Sequence, residues 1–119
     1  MLPESRSALE RVLEMSRLLV ARTVGRSAAI YAADPDLQAI VERHFITIGE
    51  ALARVARKEP ELFARIPEAP EVVGFRNVLV HGYDAIDPAL VWDALTEDLH
   101  VLARGIEEIL RAEDAEGEE

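Results

Sequence analysis

The sequence contains no cysteine and only three histidines in 119 residues. The missing cysteine excludes disulfide bonds, thiolate metal sites and a cysteine nucleophile. His44, His81 and His100 form no His-x2-4-His pair, so the ligand pattern of a zinc site is missing as well. We therefore expect the protein to use no metal and no other cofactor.

Long apolar runs are also missing. No segment approaches the roughly 20 apolar residues that cross a bilayer, and the first six residues contain no basic region followed by an apolar stretch. We therefore expect a cytoplasmic protein. A chain of 119 residues, half of them hydrophobic, suits one small domain with a single core and excludes a large multidomain enzyme.

Positive charge is scarce, with 13 Lys and Arg against 23 Asp and Glu and a net charge of −10. This balance argues against a free-standing nucleic-acid binder, which normally carries a basic surface. Five of the acids lie in residues 113–119, which we expect to be a disordered tail, so residues 1–112 form the single domain with a net charge of −5. Residues 1–33 reverse the sign, with five Arg against three Glu, and could attract a polyanion locally.

Apolar residues recur at spacings of three and four, and no segment shows the alternation of a strand. Asp34-Pro35 and Asp87-Pro88 are typical helix starts, with an N-cap followed by proline, and Gly82 is expected to end the helix before it. The pattern predicts long helices at 7–23, 35–58 and 88–109, a short, well buried helix at 70–80 and one short helical turn at 61–64. The fold class is therefore predicted to be all-α, an up-and-down bundle of four to five helices.

Reactive side chains are concentrated in residues 74–84. An arginine fork can hold a phosphate and a histidine can move a proton. Asn77 and His81 are four residues apart and share a helix face, whereas Arg76 and His81 are about 140° apart around the helix and about 7.5 Å along it. Arg76 and His81 can converge only if the helix frays near His81 or if a second copy approaches across a two-fold axis.

The motif Arg76-Asn77-x-Leu79-x-His81-x-Tyr83 resembles the Arg-x4-His-x-Tyr signature of the HepT-like toxins, in the HEPN superfamily of helical ribonuclease domains. The resemblance covers nearly the whole chain, because it extends to residues 49–51, 91–92 and 96–99. One departure is the connector before the third helix, which has residues 69–71 where the family often has a tryptophan.

The resemblance implies a homodimeric toxin that cleaves RNA without metal, as an endoribonuclease of a toxin-antitoxin pair. The implied partner is a minimal nucleotidyltransferase of the MNT type, which would silence the toxin by transferring AMP to Tyr83. In this reading Arg76 stabilises phosphate charge, His81 transfers a proton and Asn77 orients the reacting groups. The alternative is a non-catalytic helical partner or substrate-binding subunit of a nucleotidyltransferase.

Several residues outside the motif have two readings. Glu50 either pairs with Arg54 one turn away or positions Arg76. His44 lies on the apolar stripe of its helix and is expected to be a buried or interface imidazole, whereas His100 has no reactive neighbours. Trp92 is expected to pack in the core or in a dimer interface.

Overall fold

The computed structural model describes residues 1–82 and 86–117, and within these ranges the chain is helical without any strand. This confirms the predicted all-α class. The helices in chain order are α1 Pro3–Thr23, α2 Ala28–Ala32, α3 Pro35–Lys58, α4 Pro60–Phe63, α5 Ala69–His81, α6 Pro88–Asp93 and α7 Leu99–Gly117. A π-helical turn, Ala94–Asp98, joins α6 to α7.

The long helix α3 is the centre of the bundle, because it packs against α1 and also against α5, while α7 packs against α1. The side chains at these contacts come from the predicted apolar stripes. Those excluded most completely from solvent include Leu9, Val12, Leu19, Val41, Ile48, Leu52, Leu99, Leu102 and Ile106. Val20 was expected on the α1 stripe but is 41% exposed.

Local signals placed the starts of two helices correctly. Asp34 caps α3 by accepting a hydrogen bond from the Leu37 amide at 3.0 Å. Asp87 caps α6 by accepting one from the Ala89 amide at 2.9 Å. Each cap satisfies an amide that the first helical turn would otherwise leave unpaired. Helix α1, in contrast, begins at Pro3, four residues before the predicted start.

Two elements were not predicted. Helix α2 is only five residues long, is capped by Ser27 and buries Tyr31 completely. The π-helical turn interrupts what the pattern predicts as one helix from residue 88 to 109, although Leu95 and Leu99 of that stripe are buried as expected. In the described ranges no helix is long and apolar enough to cross a membrane.

The acidic C-terminal segment differs from the expected disordered tail, because α7 continues through Gly117. Two contacts join this segment to the start of α1: the N-terminal ammonium meets Glu113 at 3.1 Å and Arg6 meets Asp114 at 2.8 Å. Both contacts lie beyond Leu110, the last buried residue of α7. Residues 118 and 119 lie outside the described ranges.

Candidate functional site

The candidate site lies where α5 crosses α3. The Phe75 ring packs edge-to-face on Phe45 of α3, with ring centroids 5.3 Å apart. Arg76, the residue after Phe75 on α5, lies against Gly49 of α3. A Cβ atom at Gly49 would lie 2.3 Å from the Arg76 Cβ. Real Cβ atoms do not approach that distance, so only glycine at position 49 allows the two helices to meet this closely.

The close approach holds the Arg76 guanidinium between two polar groups. Its Nη2 atom lies 3.6 Å from Glu50 Oε1, and its Nη1 atom donates a hydrogen bond to Asn77 Oδ1 at 2.8 Å. The Nε atom is buried without a hydrogen-bond partner, while the whole side chain keeps about a quarter of its surface exposed, at 26%. A guanidinium has five N–H donors, so these contacts fix the plane of Arg76 and leave donors for an anion.

His81 lies in the last turn of α5 and is exposed, as is Asn77 one turn before it. The helix ends at Gly82, as the sequence predicts, and the Gly82 amide donates to the Val78 carbonyl at 2.6 Å. A Cβ at Gly82 would lie 2.5 Å from that carbonyl oxygen, so the tight exit from α5 requires glycine. The imidazole therefore stands on a regular helical turn at the open end of α5.

Helix α5 is unbroken from Arg76 to His81. Both residues have helical geometry, so they remain five residues, about 140° and about 7.5 Å, apart. Fraying near His81 is therefore not seen. Within one copy of the chain, Arg76 turns toward α3 while His81 is exposed to solvent.

The chain is similar to known proteins over most of its length. A profile described as "Ribonuclease HepT-like" matches residues 6–109. The chain belongs to the HepT-like ribonuclease family. "Putative RNase TTE0752" of Caldanaerobacter subterraneus subsp. tengcongensis is 28% identical over 108 residues, which cover 91% of this chain and 96% of that protein. "Putative RNase MJ1380" of Methanocaldococcus jannaschii is 37% identical over 60 residues, or 50% of this chain and 54% of that protein. No solved structure matched the chain.

Of the HepT-like motif, the structure brings Arg76 and Asn77 together and adds Glu50 from the neighbouring helix. Glu50 pairs with Arg76 and not with Arg54, so it has the geometry of a positioning residue. Tyr83, the residue expected to accept AMP, lies outside the described residues. The catalytic and modification roles of these side chains stay predictions.

Gly49 is a site residue to which sequence reasoning gave no role of its own. Its signal was a glycine inside a strong helical pattern, where glycine costs about 1 kcal/mol relative to alanine. Such a cost is tolerated where two backbones must come close. The partner across the contact, Arg76, could not be inferred, because it depends on how α3 and α5 cross.

The other singled-out side chains lie away from this site. Burial and the nearby Arg22 lower the pKa of the half-buried His44. His100 is exposed on α7. Trp92 packs on the buried Tyr31, with ring centroids 5.5 Å apart, which confirms its expected packing role. Within the described residues, no three His, Asp or Glu side chains are grouped closely enough to hold a metal ion.

Proposed function

We propose that this HepT-like ribonuclease is a metal-independent endoribonuclease that acts as the toxin of a toxin-antitoxin pair in the cytoplasm. The observation that supports it best is the Arg76 guanidinium, oriented by Glu50 and Asn77 yet still partly exposed, on the helix that ends with His81. A fixed guanidinium suits a phosphate, and an exposed imidazole suits proton transfer.

In the proposed reaction, His81 removes the proton from a ribose 2′-hydroxyl. The O2′ atom attacks the adjacent phosphorus and the P–O5′ bond breaks, so that O5′ leaves and takes up the proton that His81 has removed from the 2′-hydroxyl. Arg76 donates hydrogen bonds to the phosphoryl oxygens, where negative charge builds up in the transition state. The products are a 2′,3′-cyclic phosphate and a free 5′-hydroxyl, and every step uses groups of the protein and the RNA alone.

A homodimer would complete the site. Arg76 and His81 diverge on one helix, so a two-fold axis near α5 would bring His81 of one copy toward Arg76 of the other. Exposed apolar side chains on α5 support such a contact, because Val78 and Val80 are 52% and 41% exposed. Light scattering at micromolar concentration should give twice the chain mass, and a monomer would count against this part of the proposal.

The antitoxin would be a nucleotidyltransferase of the MNT type that adds AMP to Tyr83. Phosphate anions two residues from His81 would compete with RNA for the donors of Arg76, and each charge-assisted contact contributes about 1.5–3 kcal/mol. Co-expression with such an enzyme should raise the mass by whole AMP units on Tyr83, and Tyr83→Phe should escape both modification and silencing. Complete silencing of Tyr83→Phe would instead indicate inhibition by simple binding.

The deciding experiment is cleavage of single-stranded RNA with and without EDTA. Arg76→Ala and His81→Ala should each lower the rate by about 10²- to 10⁴-fold, because each removes one group acting in the transition state. His100→Ala is the matched control, since it removes an exposed imidazole from α7, and should cleave normally. Loss of cleavage with EDTA, or full activity in both site variants, would contradict the proposed mechanism. Complete inactivity of the wild-type chain would favour the non-catalytic alternative.

A further inference from the structure

A second basic cluster lies between α1 and α3, beyond the α5 site. It surrounds a cavity of about 320 Å³, lined by Glu4, Ser5, Ala8, Arg54, Val55, Arg57 and Lys58. Three cations and one carboxylate give this lining a formal charge of +2, in a chain whose net charge is −10. The α1–α3 cavity is therefore a local reversal of the overall charge.

The three cations of the α1–α3 cavity are not engaged by acids. Among the described residues, no carboxylate lies within 4.0 Å of Arg54, Arg57 or Lys58, and all three are exposed. The chain has 23 acidic residues for 13 basic ones, so carboxylate partners for these cations are available in excess. Arg57 and Lys58 lie in the last turn of α3, where cations favour the helix dipole. That explanation does not extend to Arg54, one turn further in.

A buried hydroxyl lies in the wall of the same cavity. Ser5 is only 2% exposed, and its Oγ atom has no hydrogen bond of good geometry. The nearby Glu59 carboxylate accepts the Leu2 amide, and this bond together with the Ser5 hydroxyl lowers the Glu59 pKa. A serine hydroxyl rotates freely, so the Ser5 proton can turn from Glu59 to an oxyanion held by the three cations.

The α1–α3 cavity is in line with the candidate catalytic site along one helix. Glu50, which holds Arg76, is followed by Arg54 four residues later and by Lys58 after four more. Each step of four residues rises about 6 Å and turns only about 40°, so the three lie on one stripe of α3. A chain of phosphates that begins at Arg76 would meet these two cations in order.

We propose that the α1–α3 cavity binds a backbone phosphate of the same RNA strand, a few nucleotides from the phosphate at Arg76. This inference rests on the proposed ribonuclease function and adds a strand-positioning site to it. Cations on a flexible stem recognise phosphate without reading the base, so the site would set the strand's path and minimum length and not its sequence.

The test is fluorescence anisotropy with labelled single-stranded RNA of about twelve and about four nucleotides, on a His81→Ala background that prevents cleavage. Arg54→Gln/Arg57→Gln/Lys58→Gln should weaken binding of the longer RNA at least tenfold and leave the shorter RNA nearly unchanged. The slope of log K against log salt concentration should shrink by about 0.7 for each phosphate that no longer pairs with a cation. Arg54→Gln alone keeps the cations of the last α3 turn and should shrink the slope by less than the triple variant does.

The matched control is Arg65→Gln/Arg104→Gln/Arg111→Gln, which removes the same charge from exposed positions after α4 and on α7, outside the basic residues 1–33. Equal losses in the two triple variants would mean that only the overall charge matters, and would overturn the α1–α3 site. Normal cleavage by the wild type with an unchanged salt slope in the cavity variants would overturn the site and leave the proposed function standing. A selective loss of binding in a chain whose wild type does not cleave would support the site and contradict the ribonuclease proposal.

Discussion

Where α3 faces α1, its charged neighbours lie at the ends of the contact, with Arg22 near His44 at one end and Glu4 near Arg54 at the other. Where α3 faces α5, a guanidinium lies within the contact, held by Glu50 and admitted by Gly49. The first contact is apolar between its ends, whereas the second adds to its apolar packing a guanidinium that one missing Cβ admits and one carboxylate holds. The same helix thus serves stability on one side and candidate chemistry on the other.

The largest effect on stability is expected on the apolar side. Leu9→Ala removes a fully buried side chain of α1 and leaves a cavity, so the free energy of unfolding should fall by about 2–5 kcal/mol. Urea unfolding followed by circular dichroism measures this change. The RNA cleavage rate per folded molecule should stay within twofold of the wild type. A selective loss of cleavage with unchanged stability would remove the contrast between the two sides of α3.

On the α5 side, Gly49→Ala should cost about 1–3 kcal/mol of stability, because the new Cβ pushes Arg76 and α5 away from α3. Cleavage should fall far more than stability does, since the guanidinium loses its place beside Glu50. Gly74→Ala is the control for unfolding, because a Cβ there meets no atom within 4 Å and helix propensity improves by about 1 kcal/mol. Equal stability changes in the two variants would contradict the close-approach argument.

Removing the carboxylate tests positioning without moving the helices. Glu50→Gln should lower kcat by about tenfold, or about 1.4 kcal/mol, and leave KM nearly unchanged. Stability should change by less than about 1 kcal/mol, because the pair is 3.6 Å apart and partly exposed. Glu50→Asp should recover part of the loss, and Glu14→Gln, an exposed site on α1, should change neither quantity. An unchanged kcat in Glu50→Gln would mean that the ion pair is structural.

The smallest effect concerns pH. Burial and Arg22 lower the pKa of His44 in the folded chain below its ordinary value of 6.5, so the unfolded chain binds more protons in that range. Stability therefore rises with pH through the window that ends near 6.5 and is lost as pH falls below it. His44→Gln should flatten this part of a plot of urea midpoint against pH, while the exposed His100→Gln should not. An unchanged slope in His44→Gln would assign the pH dependence to other groups.

Local chemistry explains which features were predictable from sequence. The caps at Asp34 and Asp87 and the exit at Gly82 depend on residues within a turn of each other, and they were placed correctly. Helix α2 is too short to show a period, so its buried Tyr31 was missed. The exposed Val20 depends on which side of α1 another helix covers.

In the candidate site, too, features within one helix were predictable from the sequence and contacts between helices were not. The sequence placed Arg76, Asn77 and His81 on one helix, and their angular spread follows from helix geometry alone. It left open whether Glu50 meets Arg54 or Arg76, because both are sterically available until the crossing of α3 and α5 is known. Gly49 allows α3 and α5 to cross at a short distance. Its missing Cβ matters only where Arg76 of the other helix lies against it.

The π-helical turn between α6 and α7 makes this point of the chain tolerant to a change of one residue in length. A π turn holds one more residue than an α turn, so deleting one residue within Ala94–Asp98 would restore regular helix without breaking the chain's path. Five residues of π-helix turn the chain about as far as four residues of α-helix, so α6 would keep its orientation relative to α7. Trp92 would stay on the face of Tyr31. Relatives that are one residue shorter here are therefore expected to keep the same core and the same packing of α6 on α2.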